Sequence, residues 1–342
     1  MSRVAILPHF GDPFALHYWL RWCRRAWQHE IDALCIVSSN VGDAANRAAI
    51  KHVVDLFRQQ FKTDDGQDKP IYLMTSYEPI QHGDAINKGL DMIEQDLVML
   101  VEEDALIFKS GRVGDCFSRL EQGEFDAIGS GRASCSEIIA QTAEAMHPDA
   151  KNAAIGRDGG PNFWPCFFFA RADDLREKTD RNFNAKSWEK GEVIKPLGVT
   201  AEETLAADTF GWASIQLRAA GLNFGYINQY HAHPDDIDDY NARRFVFDGQ
   251  SSWFHIGSLS GWRSLFDKKK VKIQGVAMEE IARRMAWYLT FVDVWLGQEP
   301  NLLTKQEQAY RTGVTQILAL YEIPQYQIAK RQMIYQKLMG GL

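Results

Sequence analysis

From the N-terminus, short apolar runs alternate with longer stretches whose apolar residues recur at helical spacing. "RVAILPH" (3–9) predicts a strand. "PFALHYWLRWCRRAW" (13–27) predicts an amphipathic helix, opened by Asp12-Pro13. That pair suits a helix start, because Asp accepts from first-turn amides and proline lacks an N–H that would have no intrahelical partner. The alternation continues with strands at 31–39, 69–76, 96–101 ("DLVMLV") and 125–131, and helices at 43–61 and about 84–94. Apolar strands joined by helical crossovers imply a mostly parallel sheet. Strands covered on both faces read as near-continuous apolar runs, as these do. The expected fold class is α/β, a Rossmann-like, mostly parallel sheet with flanking helices, plus a C-terminal helical region.

The second half is less regular. Residues 131–200 are Gly/Pro-rich, and "FWPCFFFA" (163–170) reads as a buried strand or a pocket wall. A helix is predicted over 201–220, closed by Gly221, then a strand over 222–230, an acidic loop, and "SSWFHIGSLSGW" (251–262). After Lys268-Lys269-Lys270 apolar residues return at helical spacing to the end. This divides the chain into a first half (1–130), a second half (131–265) and a helical tail (266–342).

Composition narrows the class. At 45% hydrophobic and 24% charged, the 342-residue chain is that of a soluble globular protein. A net charge of −7 gives no general footprint for nucleic acid. Five widely spaced cysteines without metal-finger spacing read as reduced thiols. No apolar run reaches the roughly 18 residues of a membrane span. The expected location is the cytoplasm.

The chemistry starts at "LVMLVEEDALIF" (97–108), where a buried strand runs into three carboxylates. In open α/β sheets ligands sit at the carboxyl ends of the strands. Mg²⁺ or Mn²⁺ takes oxygen ligands, one or two of them carboxylates, with phosphate oxygens and water completing the shell. Glu102 and Asp104, two apart, would share one face of a continuing strand, and Glu103 would turn away.

The stretch "HGDAINKGLDMIEQDLVMLVEED" (82–104) resembles GT-A glycosyltransferases, above all the large inverting family 2. There a Gly-rich turn and an Asn lie on the helix before a fourth strand that ends in Asp-x-Asp. Gly83, Asn87 and Gly89 match the turn and helix, and Glu102-Glu103-Asp104 stands at the Asp-x-Asp. Glu for the first Asp keeps the charge and changes the reach. Where the family often holds the base with an Asp, this chain has Ser38-Ser39-Asn40. The resemblance implies a nucleotide-diphosphate sugar as donor and Mn²⁺ or Mg²⁺ as cofactor, held by Glu102 and Asp104. Pro8, His9, Asp12, Ser38, Gly83, Asn87 and Glu103 would lie on the nucleotide side.

Further along, "AADTFGWASIQLRAAGLNFGYI" (206–227) looks like the family's acidic helix. Asp208 matches the general base, Ala207 replaces the Glu that usually precedes it, and Glu202 or Glu203 stands near enough to substitute. In an inverting reaction the base takes the acceptor hydroxyl's proton as the oxygen attacks C1. A late His on metal or diphosphate would be His255, in "WFHIGSLSG", or His233. Trp164 and Phe168 would line the acceptor side, although Trp164 serves equally well as core. The resemblance spans about residues 3–260. It leaves the acceptor open among glycan, lipid, protein and modified nucleobase. The C-terminal helices are open to packing on the catalytic domain, self-association or acceptor selection.

Two other readings stand beside it. "AHPDD" (232–236) resembles the zinc motif of LmbE-like deacetylases, with His233 and Asp236 as ligands and Asp235 as base. Nucleotidyltransferases share this kind of sheet, but usually open with a Gly-rich basic loop, whereas "PHFGDPF" (8–14) has one Gly and no Lys or Arg. A non-catalytic binding module is a third.

Overall fold

The computed structural model describes residues 1–107, 110–131, 135–155 and 163–231, the strand backbones 243–247, 250–255, 272–273 and 276–277, and positions 312 and 316. His233, the 232–242 loop and nearly all of the C-terminal region lie outside the described residues.

The first half follows the alternation. Strand β1 (Arg3–His9) leads to helix α1 (Pro13–Ala26), β2 (Ala33–Ser38) to α2 (Ala44–Arg58), and β3 (Ile71–Thr75) to α3 (His82–Met92). Asp12 caps α1 as expected, its carboxylate accepting from the Phe14 N–H at 2.9 Å. Then come β4 (Leu97–Val101), β5 (Ala105–Ile107), α4 (Arg112–Glu121), β6 (Ala127–Gly131), α5 (Glu137–Met146) and β7 (Asn152–Ile155). The long strand β8 (Phe163–Arg171) precedes α6 (Ala172–Glu177) and four short strands: β9 (Lys186–Trp188), β10 (Val193–Ile194), β11 (Val199–Thr200) and β12 (Leu205–Ala207). Helix α7 (Gly211–Ala219), β13 (Phe224–His231), β14 (Arg243–Phe247) and β15 (Gln250–His255) follow.

One sheet joins both halves in the order β3-β2-β1-β4-β8-β6-β13. All its pairings are parallel except those of β8, which runs antiparallel between β4 and β6. An antiparallel ribbon extends it through β14 and β15 to β5. Strand β8 shows why the apolar runs are continuous. Phe168 packs on one face against Phe163 and Phe210, while Phe169 meets Phe117 of α4 on the other. On the Phe168 side, Val4, Ile6, Cys35, Val98 and Leu100 form a buried cluster with residues of α3, α6 and α7.

Two expectations are corrected. The helix predicted over 201–220 begins only at Gly211, because Leu205–Ala207 pairs with Lys186–Trp188 and Phe210 adopts a left-handed φ of 65°. Asp208 therefore lies in the turn before the helix. The strand ending in the carboxylates stops at Val101, and a turn follows in which the Ala105 N–H donates to the Glu102 carbonyl at 3.1 Å. The period-two argument does not carry past Val101, and Glu103 does not turn away from its neighbours' crevice.

Candidate functional site

Because β1, β2, β3 and β4 are parallel, their carboxyl ends share one edge. The chain leaves that edge through three segments that cannot pack as regular structure. After β1 comes Phe10-Gly11-Asp12, after β2 Ser39-Asn40, and after β4 the Glu102–Asp104 turn. Gly11 permits their close approach: its φ is 69°, and a Cβ there would collide with the Ser39 and Asn40 carbonyl oxygens. Asn46 ties the first two segments together, donating to the Gly11 and Val41 carbonyls at 2.7 Å each.

Between these segments lies a crevice of about 490 Å³, within the range of small-molecule sites. Pro8, His9, Glu102, Glu103 and Asp104 line it, joined by Phe10, Ser39, Thr209 and the 79–82 segment. Among its described lining residues there are three carboxylates and no Lys or Arg. Glu103 and Asp104 are each only 6% exposed. Glu103 Oε2 accepts from the Phe10 N–H at 3.2 Å and lies 3.4 Å from His9 Nε2. Glu102 Oε1 lies 3.4 Å from His82 Nδ1. The His9 imidazole is wholly buried, with Nδ1 2.8 Å from Ser38 Oγ and Nε2 2.9 Å from the Asp12 carbonyl.

The donor set can be tested against a metal. Among the described residues, no group of three or more His, Cys, Asp or Glu is arranged to hold one, so no all-protein cage is formed. The three carboxylates do fit a hard cation that takes one or two protein oxygens and fills its shell with phosphate oxygens and water. The strand register adds to this edge. His231 pairs with Arg243, Arg243 with His255, and His255 with Ala105, the residue after Asp104. One backbone rung thus brings His255 beside the carboxylate turn.

The remaining sequence-predicted residues lie elsewhere. Gly83 and Asn87 face the 181–184 segment. The Gly83 N–H donates to Asn184 Oδ1 at 2.8 Å, and a Cβ at Gly83 would collide with the Asn184 backbone nitrogen. Asn87 donates to the Arg181 carbonyl at 2.5 Å and accepts from Arg181 Nε at 3.1 Å. These two residues dock α3 onto the second half of the chain. Phe168 is fully buried in the core. Trp164 is the partly exposed member of "FWPCFFFA", beside a register irregularity between β6 and β8. Asp208 is exposed, and with Lys186, Ser187 and Cys135 it borders a second, open groove. Thr209, next in the chain, lines the carboxylate crevice, so consecutive residues border the two depressions.

His82, Thr209 and the 79–81 loop are crevice residues that the sequence reading missed. A signal was available for the loop: it follows the third parallel strand, and the rule that ligands sit at carboxyl strand ends applies there as it does after β4.

The chain matches no protein-family model and no curated protein. Its structure is similar to those of several solved proteins. TarS residues 1–349 from S. aureus share 12% identity over 100% of this chain and 92% of that one, with a TM-score of 0.40. The mannosyltransferase PcManGT from Pyrobaculum calidifontis, solved with GDP-Man and Mn²⁺, shares 11% over 99% and 87%, with a TM-score of 0.42. Glucosyl-3-phosphoglycerate synthase from Mycobacterium tuberculosis, solved with Mn²⁺, UDP-glucose and phosphoglyceric acid, shares 11% over 69% and 74%, with a TM-score of 0.36. At such low values these are similarities of shape alone.

Proposed function

We propose that this chain is a metal-dependent glycosyltransferase of the GT-A type, moving a sugar from a nucleotide-diphosphate donor to a hydroxyl acceptor with inversion at C1. The observation that carries the reading is the acidic crevice at the carboxyl ends of β1–β4. Its described lining offers three carboxylates and no Lys or Arg. A diphosphate is repelled by such a wall unless a cation stands between them, whereas a divalent cation is drawn to it.

Asp104 is the first candidate ligand: it is short, buried and at the crevice wall. Glu102, more exposed and beside His82, is the second. His255, a late histidine, pairs along the backbone with Ala105, the residue after Asp104. A bound Mn²⁺ or Mg²⁺ would supply positive charge against the departing diphosphate. Pro8, His9 and Ser39 form the wall on the β1 and β2 side and shape the space for the nucleotide. Asp208 borders the second groove, and the next residue, Thr209, lines the carboxylate crevice. From there its carboxylate takes the proton of an acceptor hydroxyl that enters through that groove.

The test is product formation. Purified protein with Mn²⁺ is incubated with UDP-, GDP-, ADP-, CMP- and dTDP-sugars, alone and with glycan, lipid and peptide acceptors. Release of nucleotide and the new glycoside are followed by mass spectrometry, and the anomeric configuration by NMR. The reading expects one nucleotide class to be consumed, EDTA to stop the reaction, and the product to be inverted. Acetate release from an N-acetylated sugar, with Zn²⁺ and no nucleotide, would replace it with the deacetylase reading.

A further inference from the structure

A fully buried imidazole at the end of an apolar strand calls for explanation. Val4, Ala5, Ile6 and Leu7 are all wholly buried and apolar, and then β1 closes on His9, whose side chain is equally inaccessible. A buried polar ring is costly unless its nitrogens are paired. Here both are. Nδ1 lies 2.8 Å from Ser38 Oγ at the end of β2, and Nε2 lies 2.9 Å from the Asp12 carbonyl at the cap of α1. The same nitrogen is 3.4 Å from Glu103 Oε2 in the turn after β4, and the Asp12 N–H lies 3.2 Å away. One side chain thus touches the end of β2, the cap of α1 and the turn after β4.

We infer that His9 is a positioning residue that fixes the Glu102–Asp104 turn to the ends of β1 and β2. It contacts Glu103, whose neighbours on either side face the crevice, and the adjacent Phe10 N–H donates to the same Glu103 oxygen. Glu103 is therefore the anchor of the turn, and Glu102 and Asp104 are the carboxylates it presents. An apolar side chain of the same size would fill the space and remove the imidazole's contact with Glu103. Carboxylates that must meet a cation and a diphosphate together gain from being held before the ligands arrive. The role in ligand binding rests on the proposed function; the anchoring of the turn does not.

The experiment compares wild type with His9→Phe, which keeps an aromatic ring, His9→Gln, which can place an amide near the Nε2 position, Glu103→Met, and the double variant His9→Phe/Glu103→Met. Amide hydrogen exchange is read over residues 100–107, with α2 as the remote control. The expected result for His9→Phe is exchange about 10-fold faster in the turn and unchanged in α2, with most of the protection restored in His9→Gln. Glu103→Met, which keeps the length and has no acceptor oxygen, should loosen the same amides, and the double variant should add little to either single change, because both cut one contact. Binding of Mn²⁺ together with each nucleoside diphosphate should weaken about 10-fold in His9→Phe and recover in His9→Gln. Wild-type exchange in His9→Phe, or fully additive effects in the double variant, would overturn the inference. Should His9→Phe fail to fold, Glu103→Met still decides, since unchanged turn protection in it would overturn the anchoring. If wild type binds no Mn²⁺ with any diphosphate, the proposed function falls, and the exchange data still decide the role of His9.

Discussion

Glu30 and Asp104 are almost equally buried, at 8% and 6% exposure, yet they sit in opposite kinds of place. Glu30 is enclosed by its own chain. Its two oxygens accept from the Gly111 and Gly114 N–H groups at 2.6 Å each, and Ser110 Oγ lies 3.4 Å away. The N-cap position of helix α4 is Gly111, which has no side chain with which to cap it, and Glu30 supplies the cap from across the fold. Asp104 stands in a turn among two other carboxylates on the wall of a crevice. Burial of an acid therefore does not mark a site. What its oxygens face, and whether a ligand can reach them, separates a structural cap from a candidate ligand.

The sharpest way to break this comparison is to remove one negative charge from each place. Asp104→Asn should lower turnover by about 10³-fold, on the order of 4 kcal/mol in the barrier, while leaving the melting temperature nearly unchanged. Asp208→Asn should follow with a loss of about 10²-fold, with donor binding retained, because the base acts on the acceptor. Glu30→Gln should do the reverse, costing about 1–3 kcal/mol of stability in denaturant unfolding and leaving the turnover of folded protein intact. Glu30 losing activity without stability, or Asp104 losing stability without activity, would collapse the distinction.

The smallest effects are in pH, and they differ in sign. Burial, the largest influence on Glu30, raises its pKa above the ordinary 4.5 despite the Gly111 and Gly114 amides. The folded chain then keeps that proton where the unfolded chain has lost it. Its contribution to stability falls as pH rises from 4.5 through the folded value, and Glu30→Gln should remove that slope. Glu121 is the opposite case. Arg3 bonds it at 3.1 and 2.8 Å and holds its pKa below 4.5. The stability it contributes is present above 4.5 and is lost as pH falls through its folded value, so Glu121→Gln should flatten the acid limb of a stability–pH curve.

What could be read in advance follows from range along the chain. The apolar runs of β1, β2 and β4 and the Asp12-Pro13 start of α1 are local patterns, and the structure has them within a residue or two. The carboxylates at the end of β4 were legible because a parallel sheet concentrates ligand contacts there. The direction of Glu103 was not, since a turn at Val101 ends the alternation that the argument used. Helix α4 was overlooked although Val113, Cys116, Phe117 and Leu120 carry a plain helical period. Gly83 and Asn87 were legible as a motif but not in their contacts, because Asn184 and Arg181 are about a hundred positions distant. Asp208 was assigned to a helix for the same reason: the pairing of β12 with β9, which displaces the helix start, leaves no local trace.

The central claim is that Asp104 holds a divalent cation for a nucleotide-diphosphate sugar, and ligand-dependent thermal stability tests it most directly. Wild type and Asp104→Asn would be melted with Mn²⁺ against the panel of nucleotide sugars, each ligand also added alone. A ligand at about 100 times its dissociation constant stabilises by roughly 2.7 kcal/mol, or several degrees for a chain of this size. The account predicts a shift for one nucleotide class that requires both Mn²⁺ and the sugar nucleotide and is abolished in Asp104→Asn. An equal shift in Asp104→Asn, or one that needs no metal, would contradict it.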